Sequence, residues 1–246
     1  MKKMKIAVGV VLACCFAAVM IYSGYRIWLI QADYNQEEKT HNLILTYKPE
    51  PTPSQPQDQP QETQKIVNQS VIDLQGQYSD AMGWLAIKGT RIDHPFVRRE
   101  DNDYYLNHDI NGKTATAGTI FMDSRCNPDF TSQNTIIYGH NMKNGSMFGT
   151  LKHFNAQDFF DENRYGTIYL PRDTMPLEFF AYMVINPAEE KELYNTTLSD
   201  GYIEYVRQNA KRYRDVSLTG SDKVVTLSTC AYDFNNARMV LLAKVK

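Results

Sequence analysis

Hydrophobic and polar positions divide the chain into three regimes. Residues 6–22 form a nearly unbroken apolar run behind three lysines, and Ile27-Trp28-Leu29-Ile30 adds a second apolar patch after Ser23-Gly24-Tyr25-Arg26. Crossing a bilayer takes about 20 apolar residues, so this segment predicts one membrane-spanning helix with an aromatic flank. Lysines concentrate on the cytoplasmic side, which places the rest of the chain outside the cell. A cleaved signal peptide is the rival reading, but no small-x-small site succeeds the run. Val11-Leu12-Ala13-Cys14 has the outline of a lipoprotein cleavage box, yet the apolar run continues well past that cysteine.

The second regime is polar. Residues 31–47 carry only a short apolar patch, Leu43-Ile44-Leu45, and extend the helix as a stalk. Residues 48–65 are dominated by Pro, Gln, Glu and Thr and lack apolar periodicity, so they bury too little surface to order themselves. Such a linker is semi-extended, at about 3.1 Å per residue, and holds the C-terminal part of the chain off the membrane. A proline-motif ligand is the alternative use of this stretch.

From Ile66 the pattern becomes that of a folded domain. Ile66, Val67, Val71, Ile72 and Leu74 have helical spacing and predict one N-terminal helix before Gly83. Residues 84–87, 91–97, 104–106, 118–122 and 134–140 read as strands separated by Gly, Asn and Asp turns. Residues 147–154 and 156–160 read as short helical turns, and 166–171 and 177–185 return to β character. Residues 199–213 predict a helix capped by Ser199 or Asp200, with Ile203, Val206 and Ala210 on one stripe. Two strands close the chain. Many short strands at regular spacing predict a mainly β barrel or sandwich. The expected organisation is therefore an anchor over 1–30, a stalk and linker over 31–65, and a globular domain over 66–246.

Composition narrows the chemistry. A formal net charge of −2 over 246 residues leaves no electrostatic footprint for nucleic acid. Sixteen tyrosines suit a packed β-rich domain, and four cysteines are too few for a disulfide scaffold. No histidine or cysteine pair has metal-ligand spacing and no Gly-rich phosphate loop occurs, so neither metal nor cofactor is expected.

The candidate chemistry lies near the C-terminus. Val224-Val225-Thr226-Leu227-Ser228-Thr229-Cys230 is a β-rich run ending on a cysteine between small residues, and residues 238–245 form a partner strand. A hairpin puts Cys230 at the end of one strand and Arg238 at the start of the next, with their side chains meeting at its mouth. A thiol attacks as thiolate and so needs a neighbouring base or cation. Ile136-Ile137-Tyr138-Gly139-His140-Asn141 supplies a strand that ends on a histidine. The bland alternatives are a buried structural Cys230 or a disulfide with Cys126.

These stretches resemble a known family. Thr226-Leu227-Ser228-Thr229-Cys230, Arg238 and Tyr138-Gly139-His140-Asn141 are similar to the signature of the sortases, cysteine transpeptidases of the Gram-positive cell surface. Residues 84–95 and 101–106 resemble the class B subgroup. The resemblance implies a closed β-barrel with an N-terminal helix and one helix inserted before the cysteine strand. It implies that Cys230 attacks the threonine carbonyl of an Asn-Pro-x-Thr-Asn or Asn-Pro-x-Thr-Gly sorting signal on a secreted protein. His140 then acts as general acid and base, Arg238 holds the substrate carbonyl or oxyanion, and an amine of a peptidoglycan precursor or cross-bridge is the acceptor. Ser228 and Thr229 are implied substrate contacts. Ala231 departs from the pattern, since class B members often carry an acidic residue there. A membrane-anchored cysteine peptidase and a non-catalytic surface-binding module are the alternative functions.

Overall fold

A computed structural model describes residues 2–50 and 67–246, with side chains from residue 7 onward; the Pro/Gln linker lies almost wholly outside the described residues. Helix α1 (Lys2–Ile44) takes in both the predicted span and the stalk. No proline occurs before Pro49, and a turn of 3-10 helix (Leu45–Tyr47) ends the helical stretch just ahead of it. The helix is long and apolar enough to cross a membrane, with a mean hydropathy of 2.2 in its most apolar window. Phe16 and Ile21 on it are exposed.

The second unit, Ile44–Lys246, is the globular domain. Its sheet contains β1 (Ala81–Ile87), β2 (Asp93–Val97), β3 (Phe121–Met122), β4 (Asn134–Tyr138), β5 (Tyr165–Leu170) and β6 (Asp173–Ile185). It is completed by β7 (Arg212–Tyr213), β8 (Val224–Cys230) and β9 (Arg238–Val245). The order β5-β1-β2-β3-β4-β8-β9-β6 closes into an eight-stranded barrel where β6 pairs back onto β5, and β7 lies outside on β6. Closure leaves no exposed edge on those eight strands. The pairings β2–β3 and β4–β8 are parallel.

Strand alternation builds two layers of core. Val225 and Leu227 of β8 join Leu85, Phe96, Ile137 and Leu241 in the barrel interior. The opposite face of the same strands presents Val224, Val240 and Leu242 to α4 (Tyr202–Asn209), whose Tyr202 and Val206 cover them. On the far side α2 (Gln69–Gln77) lays Val71 and Leu74 over Trp84 and Tyr169. The end of the stalk and the first linker residue join this patch: Ile44 is buried in it, Tyr47 packs edge-on against Tyr78, and Lys48 pairs with Asp93. A short helix, α3 (Gln157–Glu162), precedes β5.

Three local expectations change. Residues 104–106 form a 3-10 turn in place of a strand, because the Asp101 carboxylate accepts from the backbone N–H groups of Asp103 and Tyr104 at 2.9 and 2.7 Å. Strand β3 is only two residues long, since Gly118 turns the chain with φ +58°. The helix predicted over 199–213 spans only Tyr202–Asn209, with Gly201 (φ 84°) at its N-cap, and residues 212–213 peel off to pair with β6.

Candidate active site

Strand register assembles the candidate residues. Cys230 and Arg238 are directly opposite in the antiparallel β8–β9 pair, as the hairpin reading requires. Opposed side chains share a face, with Cβ atoms about 5 Å apart. On the other side of β8, the parallel β4 ladder aligns Tyr138 with Ser228, so two further residues bring each strand to His140 and Cys230 respectively. The crossing is tied beyond the ladder: Gly139 N–H donates to the Ser228 carbonyl at 3.3 Å, and the Asn141 side-chain amide donates to the Cys230 carbonyl at 2.9 Å. Gly139 is required here by space. A Cβ at that position would stand 2.9 Å from the Phe148 ring, which packs beneath the turn that carries His140.

Each of the three chemical groups has an environment suited to a working surface site. Cys230 is partly exposed and free. The imidazole of His140 is partly exposed and donates from Nε2 to the Leu106 carbonyl at 2.6 Å. Arg238 donates from Nη1 to the Ala237 and Asn236 carbonyls at 3.0 and 3.3 Å, which curls its guanidinium over the β8–β9 loop. Asp233, the nearby loop carboxylate, pairs with Lys211 at 3.3 Å. The other domain cysteine differs. Cys126 is buried, its sulfur sits between the Asn134 carbonyl and the Ile136 N–H, and burial pushes its thiol above the usual range. It too is free, so no disulfide joins it to Cys230.

The structure adds Tyr194 to the site. Its ring stacks on Tyr138 at 6.3 Å, and its hydroxyl shares a 2.8 Å hydrogen bond with Ser228. Burial raises the Tyr194 phenol, while Ser228 and the Arg238 charge oppose that rise and Cys230 adds to it, so the phenol lies within electrostatic reach of both hairpin residues. Asn134 holds the Tyr194 segment: its side-chain amide donates to the Leu193 and Asn195 carbonyls at 3.1 and 2.9 Å, and its carbonyl accepts from Thr226 at 2.7 Å. Nothing in local periodicity announces Tyr194, because it lies in a 3-10 turn 36 residues before Cys230. Ser228 and Thr229 are both buried, Ser228 against Tyr194 and Thr229 with an unpaired hydroxyl.

Asp123 underpins this wall. Fully buried, it accepts from Arg125 Nε and Nη2 at 3.0 and 2.7 Å and from the Tyr138 hydroxyl at 2.8 Å. Burial pushes its carboxyl pKa up, but the hydrogen bonds from Arg125 and Tyr138 outweigh that and hold it down at about 2. A carboxyl more acidic in the native than in the unfolded chain contributes stability above pH about 4, and that stability is lost as pH falls toward 2. Asp123→Asn is therefore expected to lower the melting temperature at pH 6 and to flatten its decline between pH 4 and 2. Melting curves across that range check this; an unchanged slope contradicts it.

Comparison with known proteins settles the family. The sortase domain family model matches residues 85–246. Sortase B of Listeria monocytogenes is 37% identical over 184 residues, covering 73% of this chain and 75% of that protein. This chain belongs to the sortase family. Its class B character rests on the same relatives. The crystal structure of Clostridium perfringens sortase B superposes with a TM-score of 0.67 at 35% identity, covering 71% of this chain and 98% of that one. A Bacillus anthracis protein described as similar to sortase B reaches a TM-score of 0.70 at 30% identity, over 86% of this chain and 96% of that one. The sortase is thus a cysteine transpeptidase built on the closed barrel expected from its sequence.

Proposed function

We propose that Cys230, His140 and Arg238 carry out the transpeptidation, and that the donor is a C-terminal sorting signal of the Asn-Pro-x-Thr-Asn or Asn-Pro-x-Thr-Gly kind. The observation that supports this most directly is the register match: a partly exposed thiol, a guanidinium directly across the hairpin and a histidine at the neighbouring strand end. Cys230 Sγ attacks the threonine carbonyl and the peptide bond after threonine breaks. His140 protonates the leaving amine, and a thioester remains on the enzyme. An amine of a peptidoglycan precursor or cross-bridge then gives a proton to His140 and displaces the thiolate. Arg238 leaves its loop carbonyls to donate to the substrate carbonyl as negative charge develops. Tyr194 and Ser228 form the wall behind the threonine, with Ser228 and Thr229 acting chiefly by shaping the strand end.

Peptides varied at the first and last signal positions, incubated with and without an added amine, test this reading. The expected result is cleavage after threonine, selectivity at both varied positions and a new amide when amine is present. Equal cleavage of unrelated peptides, with water the sole acceptor, overturns it in favour of a general peptidase.

The proposed placement is a single-pass membrane protein with its catalytic domain outside the cell, residues 1–30 as anchor, 31–65 as stalk and linker and 66–246 as catalytic domain. The lysine-led apolar helix and the Pro/Gln composition after it support this arrangement. Protease added to intact cells is expected to release the domain by cutting within the Pro/Gln linker, residues 48–65. Protection until lysis contradicts that topology.

A further inference from the structure

We infer that the Leu106 backbone carbonyl and Gly118 are positioning groups for His140, fixing its neutral tautomer with the proton on Nε2 so that Nδ1 exchanges protons with thiol and amines. This rests on the reading that His140 is the acid–base group.

A carbonyl oxygen only accepts, so the nitrogen 2.6 Å from it carries the hydrogen. In neutral imidazole that leaves the Nδ1 lone pair free. The sheet order then says which way Nδ1 faces. The loop bearing Leu106 joins β2 to β3, on one side of β4, whereas Cys230 ends β8 on the other side. A ring pinned by Nε2 on the β3 side turns its remaining nitrogen toward the β8 side. During acylation Nδ1 takes the Sγ proton, Sγ bonds to the carbonyl carbon, and Nδ1–H passes that proton to the departing amine. Deacylation reverses these transfers with the incoming amine. The Nε2–H···O bond persists throughout, and strengthens whenever the ring is cationic.

The carbonyl is held by the rest of the loop. Thr119 N–H donates to the Tyr105 carbonyl at 2.9 Å, and the Thr119 hydroxyl donates to the His108 carbonyl at 2.9 Å. Gly118 lies against the same turn: a Cβ there would stand 2.3 Å from the Tyr105 oxygen and 2.9 Å from the Leu106 oxygen, at φ +58°. Any side chain at 118 must therefore push the carbonyl that His140 uses. Gly112 provides a matched control. It has φ +75° in the same loop, and a Cβ there meets only the Tyr104 hydroxyl, at 3.1 Å.

Two measurements test the inference. Ring-nitrogen NMR of the unaltered ¹⁵N-histidine protein, with the His140 ring neutral, is expected to show Nε2 protonated and Nδ1 bare. The opposite tautomer overturns the inference, whatever the fate of any variant. Gly118→Ala is expected to lower kcat at least tenfold with a smaller change in KM and to disturb the His140 ring signals. Gly112→Ala should destabilise the loop while kcat and those signals stay near the wild type. Equal kcat losses in the two variants would mean that loop stability alone matters. Failure of the underlying reading appears separately, as near-normal turnover in His140→Ala.

Discussion

Replacing Cys230 with alanine is expected to abolish the thioester entirely, and His140→Ala to slow its formation by about 10²–10⁴-fold, the usual contribution of a positioned acid–base group. The two losses differ in kind. Without Cys230 there is no atom to carry the acyl group, so intact-protein mass spectrometry should find no adduct at any time. Without His140 the nucleophile remains, so a slow adduct should build up and be rescued partly by added imidazole. Both side chains are partly exposed at strand ends, outside the two layers of core, so melting temperatures should move little. The rate of the unaltered enzyme should rise and fall with pH, because one member of the pair must be deprotonated while the other is protonated. Near-normal turnover in His140→Ala contradicts the pairing.

The second large effect concerns Arg238. If its guanidinium only made the neighbouring thiol more acidic, lysine would retain most of the activity, since it carries the same charge. A planar fork of donors aimed at an oxyanion is another matter, because lysine presents a compact charge on a flexible stem. Arg238→Lys is expected to lose about 10²-fold or more in turnover, the scale of one oxyanion donor. The geometry of the resting site sharpens the test. Arg238 bonds two carbonyls of its own loop, and Asp233 is occupied by Lys211, so a purely structural Arg238 would act through the loop. Such a role predicts a lower melting temperature and little change in kcat for both Arg238→Lys and Arg238→Ala. Robust activity in Arg238→Ala removes the residue from the site.

Legibility differed by the range of the signal. The Cys230–Arg238 hairpin is local: two β-rich runs separated by a seven-residue loop, Ala231 to Ala237, suggest an antiparallel pair with those two residues at its mouth, and the structure has them directly opposed. The strand leading to His140 was readable for the same reason, although it ends at Tyr138, and the motif resemblance joined it to Cys230. Residues 104–106 read as a strand because the two tyrosines favour β structure, but propensity lost to the Asp101 carboxylate, which satisfies the turn's N–H groups locally. The helix over 199–213 was overlong because its last residues serve a different surface, pairing with β6.

By itself, the sequence determined the apolar N-terminal helix and the period-two strands of a barrel, since each depends on neighbours within a few residues, and it named a candidate thiol, imidazole and guanidinium through the family resemblance. Tertiary structure decided what surrounds them. The parallel β4–β8 pairing brings His140 level with Cys230 across 90 residues of chain. The amide of Asn134 fastens Tyr194 beside Ser228, and the Leu106 carbonyl, in a loop 34 residues upstream, accepts a hydrogen bond from His140. Those contacts join side chains or backbone groups whose separation along the chain carries no periodic signature, so only closure of the barrel could choose them.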